Sequence, residues 1–342
     1  MTTAPRNGAS RSAKVTIKDV AKLAGVAIST TSRVLNGGTA SEATRAKVRE
    51  AARQLNYMPN AAARQLPSGH SNIVALVIDE PSTYLFQDDY IVSILGELSL
   101  ALSNVGLLPF LALASPEDSE SFRRLLSQSG AAGVIVASLH EGHNLAKLLT
   151  EFGKPAVFIG RPPTDMHFPY VDVDNYEGGF LAGQVLLERG CRNIAIISGP
   201  KDMVTPRERA AGTREALAQH GLEPIAVLSG DYELENGAAA MKRLLQDHPE
   251  VDGVVAQSDK LAAGVIRILS EAGKEIPNDI AVVGFDNLQV ARLLNPPLTT
   301  IEQPLTMVAR GATRMLKNHL DTGEWDVRSQ TYPVRLVKRT TA

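Results

Sequence analysis

A chain of 342 residues exceeds what one hydrophobic core usually serves, and its 44% hydrophobic and 21% charged residues exclude wholesale disorder, collagen and a disulfide scaffold. No stretch approaches the roughly eighteen uninterrupted apolar residues that span a bilayer, residues 1–14 lack the apolar centre of a signal peptide, and the one cysteine, Cys191, fits a reducing compartment, so a cytoplasmic location is expected. The formal net charge of −2 hides an asymmetry: residues 1–70 hold eleven Lys/Arg against three acids, a balance of +8, leaving −10 for residues 71–342, which fits a polyanion-reading head on an acidic body or, on charge alone, a solubilising basic tail.

Ile17, Val20, Ala21 and Ala24 recur at helical spacing, and Thr16 with Asp19 resembles a capping box in which Asp replaces the usual Glu or Gln. Gly25 breaks this helix. A second is expected from about Ile28 to Leu35, stopped by Asn36-Gly37-Gly38, and Ser41 can cap a third that runs to Leu55. A short Ala-rich segment, Ala61 to Leu66, then meets Pro67-Ser68-Gly69, which reads as a linker.

Beyond Ser71 the texture changes. Short apolar runs (Ile73–Ile78, Gly133–Ala137, Ala156–Ile159, Ile194–Ser198, Val251–Ala256, Ile280–Phe285) alternate with helical stretches such as Glu177–Arg189, Arg207–His220, Asn236–Gln246 and Leu261–Ala272. Such alternation argues for parallel sheets covered on both faces. About ten strands in some 270 residues fit two open lobes better than one, with a crevice at the carboxyl ends of their strands. The fold class expected is therefore an all-α helix-turn-helix head followed by an α/β bilobal body of two doubly wound parallel sheets.

In the stretch from Thr16 to Asn36, two short helices joined at Gly25 can place the second in a DNA major groove. Its polar face offers Ile28, Ser29 and Arg33 to base edges: Arg33 can fork onto guanine N7 and O6, Ile28 can touch a thymine methyl, and Ser29 is permissive. Thr30, Ser32 and Asn36 are short donors suited to phosphate oxygens. On spacing alone, a structural αα-hairpin with a solvated face stays open.

The same stretch, followed by Tyr57-Met58-Pro59-Asn60-Ala61-Ala62-Ala63-Arg64-Gln65-Leu66, strongly resembles the head and hinge of the LacI/GalR (lactose-repressor) family. The resemblance continues through Val173-Asp174-Asn175 with Gly178-Gly179, Arg209-Ala210-Ala211-Gly212, Ser258-Asp259, Val282 to Asn287 and Pro297 to Pro304, in family order along nearly the whole chain. It implies a head over residues 15–59, a hinge helix and linker over 60–70, and a periplasmic-binding-protein-like body over 71–342. The first lobe would take about 71–170 and 301–325, the second about 171–300 and 326–342. It also implies a homodimer on a near-palindromic double-stranded operator, with Tyr57 among the phosphate contacts. Ala63 would approach the minor-groove floor and Leu66 would act as the wedge that kinks the duplex, the alternative for Leu66 being apolar docking on the body. Three departures bear on this. Ala27 replaces the usual Ser or Thr cap of the recognition helix, Thr31 stands where a buried Val is common, and Pro67 biases Leu66 away from α geometry.

For the effector cleft the resemblance points to Arg209, Asp286, Ser258, Asp259, Gln303, Tyr232 and Arg161. A carboxylate and a guanidinium can grip adjacent hydroxyls while an aromatic ring covers an apolar sugar face, so a sugar or nucleoside effector is expected. Asp259 can instead cap the helix beginning near Lys260, and Arg209 with Asp286 can instead be a surface or inter-lobe ion pair. The Glu80–Phe86 loop after the first strand is expected to border the cleft, with Tyr84 and Phe86 candidates for ligand contacts or for dimer or loop packing. No metal, cofactor or membrane partner is expected, and no P-loop, G-x-S-x-G or H-E-x-x-H points to an enzyme. His140-Glu141-Gly142-His143 reads as a solvated loop rather than a zinc site. The alternative function is a bilobal sugar-binding protein without a DNA role.

Overall fold

The computed structural model describes residues 15–35, 38–57, 71–113, 119–142, 144–163 and 167–342, with backbone alone at 82, 83 and 119. The chain divides into two compact units, Met1–Ser71 and Asn72–Ala342. Asn36, Ala63, Leu66 and the whole 60–70 hinge lie outside the described residues.

The first unit holds α1 (Ile17–Ala24), α2 (Ile28–Leu35) and α3 (Glu42–Gln54). The Thr16 amide and hydroxyl both donate to Asp19 Oδ2, at 2.8 and 2.7 Å, so Asp serves at the third helical position. Gly25 closes α1 at φ 67°, a left-handed conformation that glycine adopts without Cβ strain. Ser41 caps α3 by accepting from the Thr44 amide. Val20, Val34, Val48, Ala51 and Ala52 form the small core between the three helices. Thr31 is fully buried among them, and its hydroxyl donates to the Ala27 carbonyl at 3.1 Å, which satisfies the group that a valine would lack.

In the second unit the first sheet runs β11-β5-β4-β3-β1-β2, built from β1 (Ile73–Ile78), β2 (Leu108–Leu113), β3 (Gly133–Ala137), β4 (Ala156–Ile159), β5 (Tyr170–Val173) and β11 (Ser329–Tyr332). All its pairings are parallel. Strand residues alternate between two apolar layers. Val74, Leu76 and Ile78 face one that includes α5 (Asp89–Asn104) and α13 (Leu305–Thr322); Ala75 and Val77 face the other, with α6 (Ser119–Ser129) and α7 (Leu145–Phe152). A short helix, α4 (Ser82–Leu85), follows β1.

The second sheet runs β12-β10-β9-β8-β6-β7, from β6 (Ile194–Ser198), β7 (Ala226–Ser229), β8 (Gly253–Ala256), β9 (Ala281–Asp286), β10 (Thr299–Glu302) and β12 (Arg335–Val337). It is parallel except where β12 lies antiparallel on β10. α8 (Asn175–Arg189) and α9 (Val204–Ala218) cover one face, α10 (Leu234–Asp247) and α11 (Asp259–Glu271) the other, and α12 (Gln289–Leu293) follows β9.

Twelve strands stand among the described residues of this unit, against the ten or so expected, and the lobe boundaries need correction. Tyr170–Val173 and Ser329–Tyr332 pair with each other in the first sheet, while Thr299–Glu302 belongs to the second. The chain therefore changes lobe after Val173, after Glu302 and after Tyr332, a few residues beyond the points read from sequence. The reason is β11, Ser-Gln-Thr-Tyr, a polar edge strand with no apolar run to announce it. Among the described residues no helix is long and apolar enough to cross a membrane.

Candidate functional site

Two regions concentrate the functional residues expected from sequence, one in each unit. On α2, Ile28, Ser29 and Arg33 are exposed and Thr30 and Ser32 half-buried, while Thr31 and Val34 turn inward. The amphipathic split thus sets Arg33 and Ile28 on the solvent face of a helix whose other face is locked into the core. Ala27 offers no side-chain cap, so α2 depends on that packing. Tyr57 packs its ring against the head core and is half-buried.

In the second unit, a cavity opens between the lobes at the carboxyl ends of the strands. The helix pair that delivers its main cation is set by glycines. A Cβ on Gly179 of α8 would overlap the Arg209 carbonyl oxygen, and one on Gly212 of α9 would overlap that of Tyr176. The two backbones therefore cross in direct contact, which fixes Arg209 within the cleft. Gly212→Ala is expected to push the helices apart and lower stability by about 1–3 kcal/mol, read as a shifted urea midpoint, with weakened ligand binding from the displaced Arg209.

The Arg209 guanidinium lies 3.5 Å from the centre of the Phe285 ring, its Nε donates to Asn175 Oδ1 at 2.9 Å and its Nη1 to the Gln257 carbonyl at 2.6 Å. Asn175 is in turn held by donating to Asp172 Oδ1 at 3.1 Å. Asp286, at the end of β9 with φ 107°, accepts from Gln303 Nε2 at 2.6 Å and stands 3.8 Å from Arg209 Nη1. Burial pushes the Asp286 carboxyl up to about 7, opposed by the Arg209 charge and the Gln303 hydrogen bond. Guanidinium and carboxylate share the cavity without a short direct bond, so both can take up a ligand hydroxyl.

Ser258 also faces the cavity but accepts from the Leu261 amide as the cap of α11. Tyr232 lines the wall with a buried hydroxyl that has no hydrogen-bond partner. Arg161, after β4, stands at the rim and pairs with Glu208 of the other lobe at 2.7 Å. Asp259 needs correction: it is fully buried and is not among the residues facing the cavity. Its oxygens accept from the Thr300 hydroxyl at 2.5 Å and the Leu288 amide at 2.7 Å, tying α11 to β10 and to the loop after β9. Of the two aromatic candidates after β1, Tyr84 lines the cavity and donates to Asp88, whereas Phe86 is 80% exposed and faces away.

Glu80, in the loop expected to border the cleft, lines the cavity with Tyr84. Asp88, Tyr90 and Asp172 of the first lobe line it without having been expected from sequence, and so does Lys260 of α11, which reaches across to donate to the Gln87 carbonyl at 2.8 Å. Only Asp88 left a signal, as an acid directly before an apolar helix, which it caps by accepting from the Ile91 amide.

Known proteins resemble both units. Residues 16–60 match the model of bacterial regulatory proteins of the lacI family, and residues 184–342 that of the periplasmic binding protein-like domain. The HTH-type transcriptional regulator CelR of Thermobifida fusca is 40% identical over 336 residues, 96% of this chain and 97% of its own. This chain belongs to the LacI family of transcriptional regulators. Among solved structures, a CelR–cellobiose complex aligns over 96% of this chain and all of its own, with a TM-score of 0.76 and 36% identity. A lac repressor dimer bound to operator and the anti-inducer ONPF aligns over 96% and 99%, with a TM-score of 0.84 and 26% identity. The LacI-family head separates this chain from bilobal solute-binding proteins, and the relatives named here are regulators rather than enzymes.

Proposed function

We propose that this LacI-family regulator is a homodimeric repressor that binds a near-palindromic operator and releases or tightens its grip in response to a sugar, with cellobiose the first candidate. The observation that carries this reading is the cleft. Buried Arg209, Asp286 and Gln303 and three tyrosines, Tyr84, Tyr90 and Tyr232, line one cavity in a chain that also carries a helix-turn-helix head. Charged groups that can bond hydroxyls beside aromatic walls suit a polyol ring, and a 40% identical relative, CelR, has a structural counterpart solved with cellobiose.

The dimer face is read from exposed apolar residues. Val92, Gly96 and Leu100 line up along α5, and Leu108 and Leu111 are exposed on β2, the edge strand of the first sheet. Such a row on one face is what a partner copy would cover. The ligand controls DNA only through its different affinity for two arrangements of the body.

The test is calorimetric titration with cellobiose, glucose and ribose, followed by operator titration with and without the sugar that binds. Binding of none of these sugars would remove the proposed effector class. On the DNA side, Arg33→Ala is expected to weaken operator binding by about 1–3 kcal/mol and to relax discrimination at one base pair. Fluorescence anisotropy on single-base operator variants checks it, and an unchanged preference at every position would exclude Arg33 as a reader.

A further inference from the structure

His140 does not belong to a solvated loop. Its side chain is 13% exposed, at the point where the loop after β3 meets the second lobe. Nε2 lies 3.0 Å from Glu80 Oε1, in the loop after β1, and Nδ1 lies 2.9 Å from Asp202 Oδ2, in the turn before α9. The Glu80 oxygen also accepts from the Ser138 hydroxyl at 2.6 Å. Ser138 itself holds φ 58°, an uncommon conformation for a residue with a side chain. Next to the ring, the Glu141 amide donates to the Asp202 carbonyl at 2.7 Å, and the Glu141 carboxylate pairs with Arg207 of α9.

We propose that His140 is a proton-dependent clasp between the lobes: as imidazolium it bonds Glu80 of the first lobe and Asp202 of the second and positions them in the closed arrangement, and loss of its proton releases them. A neutral imidazole has one N–H and one lone pair. With both nitrogens against carboxylate oxygens, either neutral tautomer would set a lone pair against a negative oxygen. Only the charged ring satisfies both contacts.

The surroundings favour that charge. Asp79 accepts the His140 backbone amide at 3.3 Å, and Asp231 and Glu233 of the second lobe line the same recess as His140, Asp79 and Glu80. The nearby cation, Arg207, is occupied by Glu141. Burial alone would favour the neutral ring, but the hydrogen bonds and charges of Glu80 and Asp202 outweigh it and push the imidazole up to about 9.

A ring freed by opening returns to its ordinary value of about 6.5. The group is raised in the closed form, so its contribution is complete below 6.5 and fades as pH climbs through about 9. Each pH unit in that window should shift the open-to-closed ratio by up to tenfold, roughly 300-fold in all. The clasp rests on the cleft reading only for its consequence, that ligand binding takes up a proton; closure itself is measured without any sugar.

The experiment is pulsed electron-resonance distance measurement on the full chain from pH 6 to 10. Spin labels go at Lys147→Cys on α7 and Lys242→Cys on α10, both exposed, while Cys191 is buried. The wild-type background should show a short separation at pH 6.5 and a growing longer one up to pH 10. His140→Asn should show the longer population already at pH 6.5 and little pH dependence. Asp202→Asn, at a half-exposed and structurally lenient position, should move the midpoint down towards 6.5. Distances that stay constant from pH 6.5 to 10 in the wild-type background, or an unchanged titration in His140→Asn or Asp202→Asn, would overturn the clasp. Failure of cellobiose to bind would leave these outcomes untouched and bear only on the effector.

Discussion

Replacing Arg209 with alanine is expected to reduce sugar affinity by about 2–5 kcal/mol, roughly 30- to 5,000-fold, the scale of removing a buried charge together with the hydrogen bonds it makes. The side chain is 6% exposed and does three things at once. It covers the Phe285 ring, it satisfies Asn175 Oδ1 and the Gln257 carbonyl, and it supplies positive charge 3.8 Å from Asp286. Without it, Asp286 loses the charge that opposes burial, so its carboxyl rises further above about 7 and stays protonated at neutral pH. The site then offers a ligand neither the cation nor a charged acceptor. Calorimetry on the variant checks this, with anisotropy on operator DNA as the control, since Arg209 lies in the other unit from α2. Undiminished sugar binding would remove Arg209 from the site.

The second large effect concerns stability. Asp259→Ala would strand the buried Leu288 amide and the Thr300 hydroxyl, each unsatisfied group costing about 1–3 kcal/mol. A loss of about 2–5 kcal/mol in urea unfolding is expected, with sugar affinity changing far less than in Arg209→Ala. If instead sugar binding disappears while the unfolding midpoint holds, Asp259 is a ligand contact rather than a tie between α11, β10 and the loop after β9.

Much of the architecture was legible because the physics is local. Thr16 with Asp19, Gly25 and Ser41 punctuate the head helices through hydrogen bonds or backbone conformations that a few neighbouring residues determine. The body strands that were read correctly, such as Ile194–Ser198, are buried on both faces and so are written as unbroken apolar runs. What escaped is non-local. β11 pairs through its backbone with a strand more than 150 residues earlier, and its polar residues mark nothing. Asp88 and Tyr90 reach the cavity because a helix cap happens to open towards it. The Gly179 and Gly212 motifs were visible as letters, but their reason, two helix backbones in contact beneath Arg209, exists only in three dimensions. Asp259 shows the reverse error: a residue beside a true cleft residue, Ser258, whose side chain turns the other way.

In the proposed function one unit grips a duplex and the other decides how firmly. Selection of DNA fragments from a random duplex pool by the purified chain, with and without cellobiose, tests it most directly. Enrichment of a near-palindrome of two half-sites is expected, with a recovery that changes when the sugar is present. A pool that stays random at moderate ionic strength under both conditions would contradict it.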